Sequence, residues 1–468
     1  MKTKHHLLVV CISINILFVF FFAFEDVSIY YYVDDSIRFV VMSRPTKSKR
    51  EMSEQYKPKQ SITSAHCPKC GSANIIMWGR CSKTMYNKYH NPVRMEGFRV
   101  MCKNCNKTTC RYPPSIDLWQ RLLPETVTHL VTQKMYKGCG YRNIGREDYS
   151  KAGFSASTCW NVVQKYGPEA KEILKRIPKD WSETLVVDEK YEKCKNGTIM
   201  WLVAGMFFRD KKGHQYCCII KAKAFYIEAT EESRKDKRKL KKEGRDLLAK
   251  ENPRFFQELA GEIDDPTRIK AVVTDLENTY PNAIKEAFPN ARHQLCLQHV
   301  VESAKRNFVD ELGKKNMTEE DQELLKELYS LPNIKSEQDY EVICKHFLEW
   351  RFENKSRIKE IRKKKGKKTN DNMGVDWWYN HTLSRKKNIC VFLDIANCPP
   401  TSNSIESQFS RVKPRTYLMK SFQSESGAKN YLDLMAVYLN VAKFSDGHNR
   451  GSSIIELAGI NLEQNIFP

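Results

Sequence analysis

Three carboxylates in this chain sit where chemistry is often placed. Asp275 ends the apolar, β-forming run Ile269–Thr274, and Asp188 follows Leu185–Val187 in the same way. A carboxylate at the C-terminal end of a strand faces the crevice in which α/β sheets bind ligands. Glu406 belongs instead to a helix that follows Pro399-Pro400 and is capped by Thr401-Ser402-Asn403. Taken singly each acid has a simpler reading, and for Asp275 it is the N-cap of the next helix. Brought together, the three would hold two Mg²⁺ or Mn²⁺ ions, because carboxylate oxygens suit hard cations better than zinc. Such a pair of ions activates a water or a 3′-hydroxyl and stabilises the leaving oxygen in phosphodiester chemistry. In-line attack at phosphorus needs no covalent enzyme intermediate, in keeping with the lack of a convincing Ser or Tyr nucleophile.

Cysteines form a second set. Cys67-Pro-Lys-Cys70-Gly71 and Cys102-Lys-Asn-Cys105 are two CxxC knuckles separated by enough chain for a β-hairpin. Four thiolates match tetrahedral Zn²⁺ and would stabilise a ribbon too small to fold on its own core. Cys81 and Cys110 are spare and remain alternative ligands. Cys296-Leu-Gln-His299 resembles half a zinc site, but no second pair accompanies it.

The elements that must position these residues are legible in outline. Tyr280, Ile284 and Phe288 recur at helical spacing after Asp275, Pro289-Asn290 closes that helix, and a short strand over His293–Leu297 leads into the CxxH. Met200–Phe208 and Gln215–Ala222 follow the Asp188 strand as an antiparallel meander, with breaks at Gly197 and Lys211-Lys212-Gly213. Residues 228–250 read as a charged helix. Upstream, Leu118, Leu122, Val127, Leu130 and Val131 form one stripe. A Gly138-Cys139-Gly140 turn, a helix over Tyr141–Tyr149 and a helix capped by Ser155 and carrying Trp160, Val163 and Lys165 suggest a helix-turn-helix. Residues 300–395 are helical in pattern, with a basic run from Arg362 to Lys368 and the set Trp350, Trp377 and Trp378. Core packing or stacking on a displaced base are both open for these tryptophans. On the Glu406 helix, Ile405, Phe409 and Val412 share one face, while Arg411, Lys413, Arg415 and Lys420 supply charge suited to DNA phosphates.

The chain has 468 residues, with 78 Lys+Arg against 56 Asp+Glu and a formal charge of +22. That excess suits a polyanionic partner, nucleic acid first. Sixteen cysteines spread through so long a chain argue for metal binding and reduced thiols, and against a disulfide-stapled secreted fold. Leu7–Phe24 is apolar and has the length of a membrane span or signal core. Translation starting at Met42 or Met52 is the alternative to an anchor.

Val187-Asp188-Glu189, Thr274-Asp275 with Tyr280, Ala283-Ile284, Phe288-Pro289 and Cys296-Leu-Gln-His299 resemble DDE transposases of the Mutator-like type and related prokaryotic insertion-sequence transposases. Thr401-Ser-Asn403-Ser-Ile405-Glu406, with Phe409-Ser410 and Lys413, resembles their third catalytic motif. Leu276 stands where many relatives have Gly. The resemblance covers about residues 184–440. It implies a multidomain protein: an N-terminal zinc ribbon and helix-turn-helix, then an α/β ribonuclease H-like catalytic core interrupted by an α-helical insertion. The boundaries expected are an apolar extension (1–43), a linker (44–66), the zinc ribbon (67–112) and the helix-turn-helix region (117–177). They continue with the first part of the core (184–299), the insertion (300–395), the third motif with C-terminal helices (396–445) and a tail (446–468). The resemblance implies Asp188, Asp275 and Glu406 as the Mg²⁺-binding triad, with His299 and Cys296 near the active site. It also implies binding of transposon terminal inverted repeats and target DNA, and self-association in a synaptic complex. The protein would work where the DNA is: in the cytoplasm or on the nucleoid, or in the nucleus of a eukaryote. A non-catalytic DNA-binding regulator derived from a transposase is the rival, which retention of all three acids disfavours.

Overall fold

The computed structural model describes residues 66–87, 91–112, 122, 124–138, 140–141, 154–230, 237–365, 374–445 and 447–460, together with the backbone of four strands before residue 43. The chain divides into two compact units, one of Met1–Lys134 with Gly140–Val162, the other of Met135–Cys139 with Val163–Pro468. The division falls inside the region expected to be one helix-turn-helix.

In the first unit, β1 (Leu7–Ser13), β2 (Ile16–Ala23), β3 (Asp26–Val33) and β4 (Ile37–Met42) form an antiparallel meander. The apolar stretch read as a span or signal core is therefore a pair of strands. Among the described residues no helix is long and apolar enough to cross a membrane. The ribbon follows as β5 (Ile75–Tyr86), β6 (Pro92–Cys102) and β7 (Thr108–Arg111), antiparallel in that order. Helix α1 (Pro124–Lys137) buries Val127 and Leu130, two residues of the expected stripe. Helix α2 spans Ala156–Arg176 and passes at Val163 into the second unit; Ser155 Oγ caps it by accepting from Thr158 N at 3.1 Å. Leu118 and most of the helix expected over 141–149 lie outside the described residues.

The second unit is built on one five-stranded sheet. Strands β8 (Thr184–Cys194), β9 (Gly197–Arg209) and β10 (Gln215–Glu228) are an antiparallel meander, while β11 (Ala271–Thr274) and β12 (Arg292–Leu295) add to β8 in parallel. The order is β10-β9-β8-β11-β12. The meander strands run longer than the apolar runs alone suggested, because ladder pairing extends past the buried residues. The first turn lies at Lys195-Asn196, where Asn196 adopts φ 59°, and Gly197 already belongs to β9. Strand β9 is buried at every position from Ile199 to Phe207, the signature of a strand covered on both faces. The charged helix is α3 (Lys237–Ala260), whose second half buries Phe255, Phe256 and Leu259; residues 231–236 are outside the described set.

Helix α4 (Tyr280–Ala287) joins β11 to β12, and α5 (Leu297–Leu312) follows β12. The expected insertion is helical: α6 (Glu319–Leu328), α7 (Glu337–Glu353), α8 (Lys355–Lys364), α9 (Gly374–Trp378), α10 (Lys386–Ile389) and α11 (Val391–Asp394). These helices and α5 share a core that includes Phe308, Phe347, Trp350 and Trp378. Two of the three tryptophans are thus packing residues, and Trp350 Nε1 donates to Asp321 Oδ1 at 2.8 Å. Trp377 alone of the three is exposed, and it stacks on His381. Arg362, read as part of a basic run, is instead buried and ion-paired to Glu311 and Asp376; residues 366–373, with the end of that run, lie outside the described residues.

Helices α12 (Asn403–Leu418), α13 (Glu425–Val441) and α14 (Ile454–Leu457) complete the unit. The stretch expected as a tail is integral to the core as far as residue 460, with Ile454, Ile455 and Ile460 buried; 461–468 are not described. A bulge at Ile219/Lys221 interrupts the β9–β10 ladder, and buried Asn440 of α13 satisfies the freed backbone. Its Oδ1 accepts from Ile219 N at 2.9 Å and its Nδ2 donates to Ile219 O at 2.6 Å. Asn440→Leu leaves both groups buried without partners and is expected to destabilise the protein by about 2–4 kcal/mol. The midpoint of urea unfolding measures it, and a loss below about 0.5 kcal/mol would show that the bulge does not depend on this contact.

Candidate active site and cysteine cluster

Strand register brings the first two acids together. Strands β8 and β11 are parallel neighbours with Ala271 opposite Thr184, Val272 opposite Leu185 and Val273 opposite Val186. Continued two residues, that register sets Asp275 beside Asp188, on strands about 4.8 Å apart. Asp188 is buried, whereas Asp275, just past the strand end, is half-buried. Asp275 is not the cap of α4, which Thr279 precedes. Its Oδ1 instead accepts from Glu277 N at 2.7 Å in the turn that leaves the sheet.

The CxxH and the third acid arrive from one strand further. Strand β12 pairs with β11 so that Leu295 faces Thr274, and Cys296 N donates to Thr274 O at 2.7 Å. Leu297 N donates to Pro400 O at 2.9 Å, tying the start of α5 to the segment that leads into α12. Ser402 N donates to Cys296 Sγ at 3.2 Å, and Ser402 Oγ, also 3.2 Å from that sulfur, donates to Glu406 Oε1 at 3.0 Å. Within the Thr401-Ser402-Asn403 segment expected to cap α12, Ser402 is the N-cap but makes no side-chain cap bond; its hydroxyl holds Glu406 instead. His299 Nδ1 lies 3.9 Å from Glu406 Oε1 and has no hydrogen-bond partner. Donor atoms of Cys296, His299 and Glu406 all fall within 4.8 Å of one another, whereas the three acids as a set are not drawn that close.

The electrostatics are those of an anionic cluster with His299 beside it. Among the described residues no Lys or Arg forms an ion pair with Asp188, Asp275 or Glu406. Burial first, then Glu189, Asp275 and Glu406, hold the Asp188 carboxyl well above the ordinary carboxylate range, with His299 opposing. Glu189 is pushed up to about 8, by burial and then by Asp275. Tyr280 OH donates to Glu189 Oε2 at 2.5 Å and works the other way. For His299, burial disfavours the charge, but Cys296, Asp188 and Asp275 overcome it and raise the imidazole to about 10. Carboxylates that keep protons because they are buried and repel one another, all offering oxygen donors, fit a hard divalent cation. Glu189 was not singled out from sequence: strand alternation turns it to the face opposite Asp188, yet its charge acts on Asp188 and that of Asp275 acts on it.

The expected phosphate contacts divide. Lys413 and Lys420 are exposed. Arg411 is half-buried, with Nη1 donating to Gln408 Oε1 and Leu439 O, and Arg415 donates from Nε to Met135 O at 2.6 Å. The structure occupies both guanidinium groups internally.

In the ribbon, Cys67, Cys70, Cys102 and Cys105 converge within 4.8 Å, with Sγ–Sγ separations of 3.5 Å (Cys67–Cys105) and 3.6 Å (Cys70–Cys102). Zinc–thiolate bonds of about 2.3 Å place tetrahedral sulfurs roughly 3.8 Å apart, so the four could take the metal with little movement. The knuckles are alike. Cys67 N donates to Ser72 O and Cys102 N to Lys107 O, and the residue after each second cysteine has positive φ, Gly71 at 71° and Asn106 at 54°. Lys69 N, donating to Cys67 Sγ, leads the effects that lower that thiol to about 6. Cys81 and Cys110 stand outside the four, beside Tyr112.

Residues 221–381 match a family model for DDE transposases of the ISL3 type, described as Transposase. No curated protein matches the chain. The match supports an insertion-sequence DDE transposase and not the Mutator-like type in particular. It includes Asp275, Cys296 and His299, and excludes Asp188 and Glu406.

Two measurements follow from the geometry. Apart from the cysteines, buried hydrophobic side chains of the ribbon are few, Met85, Met95 and Val100, with Val93 and Tyr112 packed on the methionines, so removing zinc is expected to unfold residues 66–112. Limited proteolysis should then cut within that stretch in chelator-treated protein and in Cys102→Ser, and leave zinc-loaded wild type intact. The raised acid makes a signed pH prediction. Glu189 binds its proton more tightly folded than unfolded, so its contribution is fully present below pH about 4.5 and is lost as pH rises through about 8. Thermal unfolding in Mg²⁺-free buffer should show Tm falling across that window, with a shallower fall in Glu189→Gln.

Proposed function

We propose that the protein is a DDE-type DNA transposase, which binds transposon ends and catalyses metal-dependent strand cleavage and strand transfer into target DNA. The observation that carries this reading is the β8–β11 register, which sets Asp188 beside Asp275 while Ser402 holds Glu406 to the CxxH at the start of α5, just past the adjoining strand β12. The match over residues 221–381 supports it from an independent direction. The sheet order, an antiparallel meander extended by two parallel strands, supports a ribonuclease H-like core interrupted by the helical insertion. The motif resemblance to Mutator-like enzymes rests on the three acidic segments and the CxxH.

Asp188, Asp275 and Glu406 would hold Mg²⁺ or Mn²⁺, which when bound supplies activation of the attacking oxygen and stabilisation of the leaving one. The chain's own residues then have separate tasks. Ser402 orients Glu406, and Cys296 fixes Ser402 in turn. His299, protonated at neutral pH, places one cation among the acids before DNA arrives. Lys413 and Lys420 are free to meet phosphates, the zinc ribbon and the helices that follow it supply end recognition, and self-association pairs the two ends in a synaptic complex. Such work places the protein with DNA, in the cytoplasm or on the nucleoid, or in a nucleus.

Cleavage and joining on DNA bearing the element's own inverted repeats tests the proposal. Asp188→Asn, Asp275→Ala and Glu406→Gln are each expected to lower product by more than the roughly 10–100-fold typical of losing an outer-shell partner. End binding should be retained. Mn²⁺ is expected to raise the Tm of wild type and not of Asp275→Ala. Equal product from wild type and Asp275→Ala would sink the enzyme reading, and tight end binding without any cleavage would install the regulator in its place.

A further inference from the structure

A second cluster of metal-ligating side chains lies outside the acidic site and the ribbon. Asp210 and His214 flank the turn between β9 and β10, and His448 lies in the loop between α13 and α14. Their donor atoms fall within 4.8 Å of one another: His214 Nδ1 is 3.3 Å and His448 Nε2 3.9 Å from Asp210 Oδ2.

The turn prepares this carboxylate. Asp210 Oδ1 accepts from Lys212 N and His214 N, both at 2.9 Å, so the group is anchored through one oxygen and presents the other. That Oδ2 also accepts from Asn449 Nδ2 at 3.2 Å, and the same amide donates to Tyr216 OH at 2.6 Å. Tyr216 OH stands 3.0 Å from His448 Nε2. The two imidazoles are stacked, ring centroids 3.7 Å apart and planes 26° from parallel. Metal–nitrogen and metal–oxygen bonds of about 2.0–2.2 Å separate tetrahedral ligand atoms by roughly 3.3 Å, close to the spacings present. Asn449 and Tyr216 occupy the position of outer partners that orient the ligands.

We propose that Asp210, His214 and His448 form a site for a divalent transition metal of the zinc class, separate from the four cysteines and independent of the acidic site. Imidazole and a single carboxylate select Zn²⁺, Co²⁺, Ni²⁺ or Cu²⁺ over Mg²⁺, which prefers oxygen donors and retains its waters. Three protein ligands leave a fourth position for water. The metal clips the tip of the β9–β10 hairpin to the loop leading into α14, joining positions 234 residues apart (448 − 214).

The test uses tag-free, full-length protein, wild type and the His214→Ala/His448→Ala variant. Both rings are about half exposed, so the variant should fold, which circular dichroism of the metal-free samples checks. With the cysteine cluster filled by Zn²⁺, Cu²⁺ is titrated in and followed by electron paramagnetic resonance. Wild type is expected to bind one equivalent with nitrogen hyperfine structure from two imidazoles, and the variant to bind it at least tenfold more weakly with that structure lost. Asp210→Asn should weaken binding while keeping the two-nitrogen signature. Equal affinity and identical spectra for wild type and the double variant would overturn the site and leave the cluster as hydrogen bonding alone.

Discussion

Like charge held together in a poorly solvated place is the constraint on which the second unit turns. The parallel pairing of β8 with β11 sets Asp188 and Asp275 side by side with no Lys or Arg among the described residues to neutralise them. Nothing in the backbone ladder requires this; the apolar runs of β8, β9 and β11, buried over Leu185–Val187, Ile199–Phe207 and Ala271–Val273, hold the register in spite of it. The sheet can tolerate such repulsion because shifting β11 against β8 would break its backbone ladder and unpack the buried side chains of Val272, Val273, Leu185 and Val186. The cost appears as carboxyl groups that retain protons, and as a histidine made strongly basic by its neighbours.

The third acid reaches this pair by a less direct route. Glu406 is 131 residues beyond Asp275 (406 − 275), with the helical insertion between. Its position depends on short-range contacts of Cys296, Ser402 and Pro400 rather than on a strand. The insertion has its own aromatic core around Phe347, so it can fold on itself and leave β12 and α12 adjacent. Cys296 consequently acts less as a metal ligand in waiting than as an acceptor that fixes the loop before α12. With one proton to donate, the Ser402 hydroxyl serves Glu406, and the backbone N–H serves the sulfur.

Much of this was legible beforehand where a residue's role follows from its immediate neighbours. Ser155 caps its helix as its type predicts, and the paired CxxC knuckles converge because each is a self-contained turn. Periodicity also located the strands carrying Asp188 and Asp275. It failed where long side chains choose among distant partners. Arg362, Arg411 and Arg415 look alike in a basic stretch, yet one is buried between two acids and the others bind carbonyls. A guanidinium with five donors on a long stem finds whatever acceptors the fold offers, and sequence spacing does not list them.

By itself, then, the sequence determined the chemistry available: oxygen donors for a hard cation, four thiols for a soft one, and an excess of positive charge for a polyanion. It also determined which short runs must be strands, since β-branched residues in unbroken apolar runs leave few alternatives. Only the tertiary structure decided which acids meet and which cations stay free. It added Glu189 to the electrostatics of the site, set the Ser402 hydroxyl on Glu406, and brought His448 to the turn of Asp210 and His214. The physical reason is that proximity between residues far apart in the chain is set by strand register and by the packing of buried faces, and neither is a property of any local stretch of chain.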